Sequence, residues 1–338
     1  MNSFSIKRIT LYLVILLLGI VIIWQLYYFI PGFLFAITLY VLLRKKYFEL
    51  TARGWNKSLS ALLLIFLTLV VLAIPVWIVV EILIPKIYYL VHNSDVLLQK
   101  ATTILNQVKQ RFPQIKISDA QVQDVIQRSA LMVPRILGTT AGIITNTLVA
   151  FFVVYFMFKG GREMEQKITE VLPLKQENKD SIWAETYKMV MANAIGIPVL
   201  AFLQAIVAAI GYWIFGVEQF LIWGLMTGIC SLLPVVGTMI VWVPIAVYMF
   251  AVGDTGQAIG LTLYSAIVIS NIDNVLRFTV LKRIGDIHPL ITVFGVLLGL
   301  QLFGIMGLIF GPLFISYFLL MVRVYQAEFE TDKLIIKP

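Results

Sequence analysis

The sequence predicts an all-α polytopic membrane protein with about eight membrane segments, two of them re-entrant or hairpin elements arranged as an inverted repeat. Three observations carry that prediction. The 338 residues are 60% hydrophobic and only 13% charged, about half the charge of a soluble domain. Charge-free runs long enough to cross a bilayer recur along the chain. Clusters of Lys and Arg separate those runs, and such clusters mark the cytoplasmic side of a membrane protein.

Composition also excludes several classes. The single cysteine, Cys230, rules out a disulfide framework. His92 and His288 lie far apart, so neither a structural metal site nor a cofactor is expected. The net charge of +8 sits in short loops and reports topology, not a nucleic-acid partner. No nucleophile–base set, phosphate loop or metal-ligand spacing argues for an enzyme.

Residues 1–85 form the N-terminal membrane spans. Basic residues precede a long apolar run with no small-residue cleavage site, which predicts a retained first span and not a removed signal. Residues 9–43 carry no charge and break at Pro31-Gly32, giving a span at 9–30 and a short one at 33–43. Arg44, Lys45, Lys46, Arg53 and Lys57 then mark a cytoplasmic loop. The next span is 59–85, with Pro75 as a kink.

Residues 86–135 differ in character. Apolar residues recur at helical spacing on either side of "FPQIKISDAQ", and Ser118 with Gln121 resembles a capping box. The segment predicts an extracytoplasmic helical hairpin, packed on its neighbours or lying on the membrane surface. Residues 136–186 are one span followed by a second basic cytoplasmic loop, "KGGREMEQKITEVLPLKQENKDS".

Residues 187–325 form the second half, and 326–338 a cytoplasmic tail. A span at 187–215 precedes the charge-free run 219–252, roughly 51 Å as straight helix against a hydrocarbon core of ~30 Å. That run breaks at "SLLPVVGT". A further span at 258–271 precedes 289–322, equally long and broken at "LFGIMGLIFGP". If each long run is a hairpin, Arg277, Lys282 and Arg283 fall inside, as the positive-inside rule asks. The half then reads as two span-plus-hairpin units of opposite orientation, the arrangement that points to a transporter binding site. Four ordinary spans with Gly/Pro kinks are the alternative.

The stretches "YFMFKGGREMEQKITEVLP", "LQAIVAAIGYWIFGV", "LLPVVGT", "NIDNVLRF" and "HPLITVFGVLLGLQLFGIMGLIFGPLF" occur in that order. As a set they resemble the AI-2E family of bacterial membrane transporters, most strongly from about 150 to 322. Phe278 stands where the family pattern D-N-x-x-R-P has proline. The resemblance implies export or exchange of a small polar solute, autoinducer-2-like, or sodium(cation)/proton antiport. It also implies a homo-oligomer, an elevator-like movement of the C-terminal half and the bacterial plasma (inner) membrane, while the basic clusters at 44–57 and 159–179 put both termini on the cytoplasmic side.

The candidate substrate-binding residues fall in three groups. Asp273 would cost ~2.5–3.5 kcal/mol at the membrane centre. Arg277 follows it by one turn in the favoured order, and Asn271 and Asn274 flank the pair. They form either a polar cluster on the transport path or a helix end whose charges reach the headgroups. Pro234, Gly237 and Thr238 at the first break, and Gly304, Gly307, Gly311 and Pro312 at the second, either present backbone to a solute or pack helices closely. Gln301, like Asn193, Gln204 and Asn146, is a polar residue within a span. The expected partners are a small polar solute, membrane lipid, further copies of the chain and a coupling proton or sodium ion. A non-transporting membrane scaffold, with 86–135 as its interaction face, is the remaining class.

Overall fold

The computed structural model describes residues 3–92, 103, 141–171, 176–233, 236–276 and 289–329. Among them every element is helical. The expected hairpin at 86–135 lies outside the described residues beyond His92, apart from Thr103.

Helix α1 (Ser3–Leu26) passes through a 3-10 turn (Tyr27–Phe29) into α2 (Ile30–Ala52). Leu11–Ala52 is thus one helical run, where the sequence suggested a break at Pro31-Gly32 and a second span ending at 43. Pro31 sits in the first turn of α2, where its missing N–H has no helical acceptor to lose. The Gly32 N–H is taken by the Asn146 Oδ1 at 2.9 Å, so a side chain from another helix caps the start of α2. A Cβ at Gly32 would meet the Asn146 carbonyl at 2.8 Å, and this close approach requires glycine. Nearly all side chains of the α1 portion from Leu11 onward are exposed, as suits lipid contact.

Helix α3 (Lys57–His92) keeps Pro75 and Pro85 inside it, and α4 spans Ala141–Lys159. These two pack on α2 through Tyr40, Tyr47, Ala61, Leu64, Ala150, Val154 and Phe158. Two helices follow: α5 (Gly161–Val171), whose Met164 packs against that cluster, and α6 (Gln176–Met191).

The second half begins where α6 passes through a π turn (Ala192–Gly196) into α7 (Ile197–Ile214). Pro198 cannot donate to the carbonyl four residues back, and the helix widens just before it. Next come α8 (Phe220–Cys230) and α9 (Met239–Val252) on either side of the first break, then α10 (Thr255–Tyr264), a second π turn (Ser265–Ile269) and α11 (Ser270–Leu276). Last are α12 (Pro289–Phe303), a 3-10 turn (Gly304–Met306) and α13 (Gly307–Phe329).

Among the described residues, four helical runs are long and apolar enough to cross a membrane: Leu11–Ala52, Lys57–Ile82, Ala141–Lys159 and Trp183–Ile214. The pair α12–α13 passes the same test together, with a bend of 116°, while α8 and α9 are shorter apolar helices. The chain is a multi-pass, all-helical membrane protein.

Small residues set the tightest contacts, as expected where helices associate without a hydrophobic driving force. Gly224 and Gly228 of α8 lie against Ala201, Ala205 and Ala209 of α7. Gly295 and Gly299 of α12 lie against Gly307, Gly311 and Pro312 of α13. Helix α8 thus packs most tightly on α7, and α12 most tightly on α13. Val41, Val190, Phe310 and Leu313 join α2, α6 and α13, and tie the N-terminal spans to the second half.

Candidate functional site

Polar side chains enter the apolar interior of the second half along the seam between α7 and the second π turn. Gln204 is 0% exposed, and its Nε2 donates to the Ile269 carbonyl at 2.8 Å. One turn of helix away along α7, the Tyr264 hydroxyl donates to the Val207 carbonyl at 3.0 Å. Gly211 makes room for the Tyr264 ring, which a Cβ there would strike. On the other side of the turn, Asn271 Nδ2 donates to the Ile267 carbonyl at 2.8 Å. The second π turn is thus held from both flanks by side-chain amides.

Two groups in this seam have no partner among the described residues. Gln204 Oε1 and Ser265 Oγ are buried and unbonded. Leaving such a group unpaired costs ~1–3 kcal/mol, and lipid offers it nothing. Both are neutral, one an acceptor and the other a donor and acceptor.

The first π turn gathers the other broken elements. Ala192 and Ile197 pack against Leu232 of the first break and Ile291 of α12. Asn193, buried there, donates to the Met189 carbonyl of its own helix at 2.8 Å. Helix α13 packs on the same turn and carries Ser316 and Tyr317, whose buried hydroxyls also have no partner.

The residues singled out in the sequence are distributed as follows. Thr238 and Gly237 are buried at the first break. A Cβ at Gly237 would strike the Cys230 carbonyl, so backbone approaches backbone there. Pro234 and Arg277 lie outside the described residues. Asp273 and Asn274 belong to α11, one turn beyond the braced π turn. At the second break, Gly307, Gly311 and Pro312 are buried between α12 and α13, whereas Gly304 and Gln301 are exposed. Gly304 has φ +59° with open space around it, and Leu302 beside it accepts the Tyr27 hydroxyl at 3.2 Å. Asn146 and Gln204 each bond the backbone of another helical segment.

Sequence reasoning passed over Ser265, Ser316, Tyr317 and both π turns. Pro198 signalled the first turn. For the second, no proline or glycine lies within it, and the serine in "LYSAIVIS" is too common in membrane helices to mark a site alone.

A cavity of about 560 Å³ opens at one end of this half, lined by Glu218, Gln219, Trp223, Tyr248 and Asp254 among others. Gln219 has φ 56°, a left-handed conformation uncommon outside glycine. Among the described residues no group of three His, Cys, Asp or Glu side chains could hold a metal. Among the described residues the buried polar side chains are neutral, and carboxylates and aromatic rings line the cavity at one end.

The profile of the AI-2E family transporters matches residues 13–327. A protein of Aquifex aeolicus named as a candidate transport protein is 30% identical over 188 residues, which cover 55% of this chain and 53% of that one. One from Helicobacter pylori with the same name is 28% identical, over 55% of this chain and 56% of its own. A third, from Methanocaldococcus jannaschii, is 25% identical over 57% of each. The chain matches about half the length of these relatives.

Proposed function

The chain belongs to the AI-2E family of transporters, and on that premise we propose that it is a secondary transporter moving a small, uncharged, hydroxylated solute across the bacterial inner membrane. One observation carries this reading: Gln204 Oε1 and Ser265 Oγ are buried without a partner inside the apolar second half. A solute rich in hydroxyls supplies both a donor for the amide oxygen and a partner for the serine. A coupling proton needs a group that titrates, and neither of these does. An autoinducer-2-like molecule has the required chemistry.

In this reading the solute enters through the mouth at Glu218, Trp223, Tyr248 and Asp254 and reaches the seam between the two π turns. Asn271, Asp273, Asn274 and Arg277 flank the seam on the cytoplasmic side. Gly237 and Thr238 with Pro234 at the first break, and Gln301 and Gly304 at the second, border the path. Gly307, Gly311 and Pro312 keep the second hairpin compact. Residues 187–325 move as the elevator against the N-terminal spans of a homo-oligomer, with both termini cytoplasmic.

The test is flux. The purified protein in sealed liposomes is offered a panel of small polar solutes, with a pH jump and a sodium jump in the same preparation. The expected result is saturable uptake of a hydroxylated solute. Proton flux driven by sodium alone, with no solute moved, would instead support cation–proton exchange; no flux of either kind would leave a membrane scaffold.

A further inference from the structure

The ends of α2 and α4 and the starts of α3 and α5 enclose a cavity of about 280 Å³, separate from the transport seam. Three cations line it: Lys57, Lys159 and Arg162. None is in a salt bridge among the described residues. The Arg162 guanidinium lies 5.5 Å from the Phe48 ring centre, which fixes it and leaves its N–H groups to donate. One carboxylate, Glu163, also lines the cavity, so three positive charges face one negative.

Two further features favour an anion. The first hydrogen bond of α5 runs from Met164 N to the Gly160 carbonyl. The N–H groups of Gly161, Arg162 and Glu163 therefore have no acceptor within the helix, and all three residues line the cavity. Independently, Tyr47 lines it at 2% exposure, with a buried hydroxyl that has no hydrogen-bond partner. Its ring is stacked on Phe158 at 4.9 Å, so the phenol cannot turn away to find one.

The place in the fold names the source of the anion. Lys57 opens one membrane-length helix and Lys159 closes another. The cavity thus lies at the level of the lipid headgroups, on the side the basic loops assign to the cytoplasm. Phe48, Ala52 and Phe158 supply an apolar wall suited to the glycerol ester next to a phosphate. We propose that this cavity binds the headgroup phosphate of an anionic phospholipid, with Lys57, Lys159, Arg162 and the start of α5 as its ligands.

The experiment is a thermal-stability titration of the full chain in neutral detergent with phosphatidylglycerol, phosphatidylcholine or inorganic phosphate. Native mass spectrometry of the same samples counts retained lipid. Phosphatidylglycerol is expected to raise the Tm by several degrees and to stay bound, and the other two are not. The variant Lys57→Gln/Lys159→Gln/Arg162→Gln should keep its lipid-free Tm and lose both the shift and the retained lipid. Tyr47→Phe should bind phosphatidylglycerol more weakly, with an unchanged or higher lipid-free Tm, because it discards a buried hydroxyl. If the triple variant responds as the wild type does, or phosphatidylcholine acts as strongly, the site is overturned. An equal shift from inorganic phosphate overturns the lipid as its ligand. If the triple variant does not fold, an unaltered lipid response in Tyr47→Phe overturns it alone.

Discussion

Gly307→Ala puts the smallest possible side chain at one of the tightest backbone contacts in the second half. A Cβ at this position would fall on the carbonyl of Gly299 and within 2.7 Å of its Cα. Carbon atoms in contact prefer ~3.5–4.0 Å. The obstructing atoms are all backbone, so no rotamer change relieves the clash, and α12 and α13 must separate by about 1.5 Å. That separation also loosens Gly295 from Gly311 and Pro312, which approach each other as closely. Overpacking costs ~1–3 kcal/mol; with nothing able to give, about 3 kcal/mol is expected. Gly304→Ala is the control three residues away. A Cβ there meets open space, and only the φ of +59° opposes it, for ~1–2 kcal/mol. Equilibrium unfolding in mixed micelles with increasing SDS measures both. Gly307→Ala should be the less stable variant by about 1–2 kcal/mol. If it matches the wild type, or is more stable than Gly304→Ala, the close packing of these limbs is wrong.

Asn146→Leu removes the acceptor of the Gly32 N–H, which is buried at the start of α2. It should cost ~1–3 kcal/mol in the same assay. Glu165 accepts from the Tyr40 hydroxyl at 2.7 Å and from Arg44 at 2.8 Å. Because Arg44 is 32% exposed, Glu165→Gln should cost only about 1 kcal/mol, and added salt should shrink the difference. Asp273→Asn and Arg277→Gln each strand a charge of the proposed pair, for ~3–5 kcal/mol if it is buried. The double variant should regain stability and still fail to transport; restored flux would reduce "NIDNVLRF" to a helix end. Single cysteines at Gln107 and Gln176 in a Cys230→Ser background should label from opposite sides with an impermeant reagent, and labelling from one side would overturn the topology.

What could be read in the sequence was whatever depends on lipid as a solvent. Charge-free runs must be largely helical, since lipid cannot satisfy the backbone, and every described element is a helix. The breaks at "SLLPVVGT" and "LFGIMGLIFGP" fall between α8 and α9 and between α12 and α13. Pro31-Gly32 misled because proline has two meanings. It interrupts a helix interior, yet fits a first turn, and only Asn146, more than a hundred residues away, decides which. The polar seam was harder to see. Gln204 was visible as a polar residue in a span, but its partner is a carbonyl of a π turn, and backbone carbonyls leave no mark in a sequence. Ser265 gains its meaning from having no partner, which is a property of packing.

The proposal that solute passes the seam between α7 and the second π turn is tested most directly by Ser265→Ala in sealed liposomes. The hydroxyl is buried and bonds nothing among the described residues, so its removal takes no hydrogen bond from them. The variant should be at least as stable as the wild type. If solute supplies the missing partner, losing that bond at ~1–1.5 kcal/mol lowers kcat/KM about tenfold. A stable variant with solute flux down by that factor is the predicted result; a stable variant with wild-type flux would contradict the account.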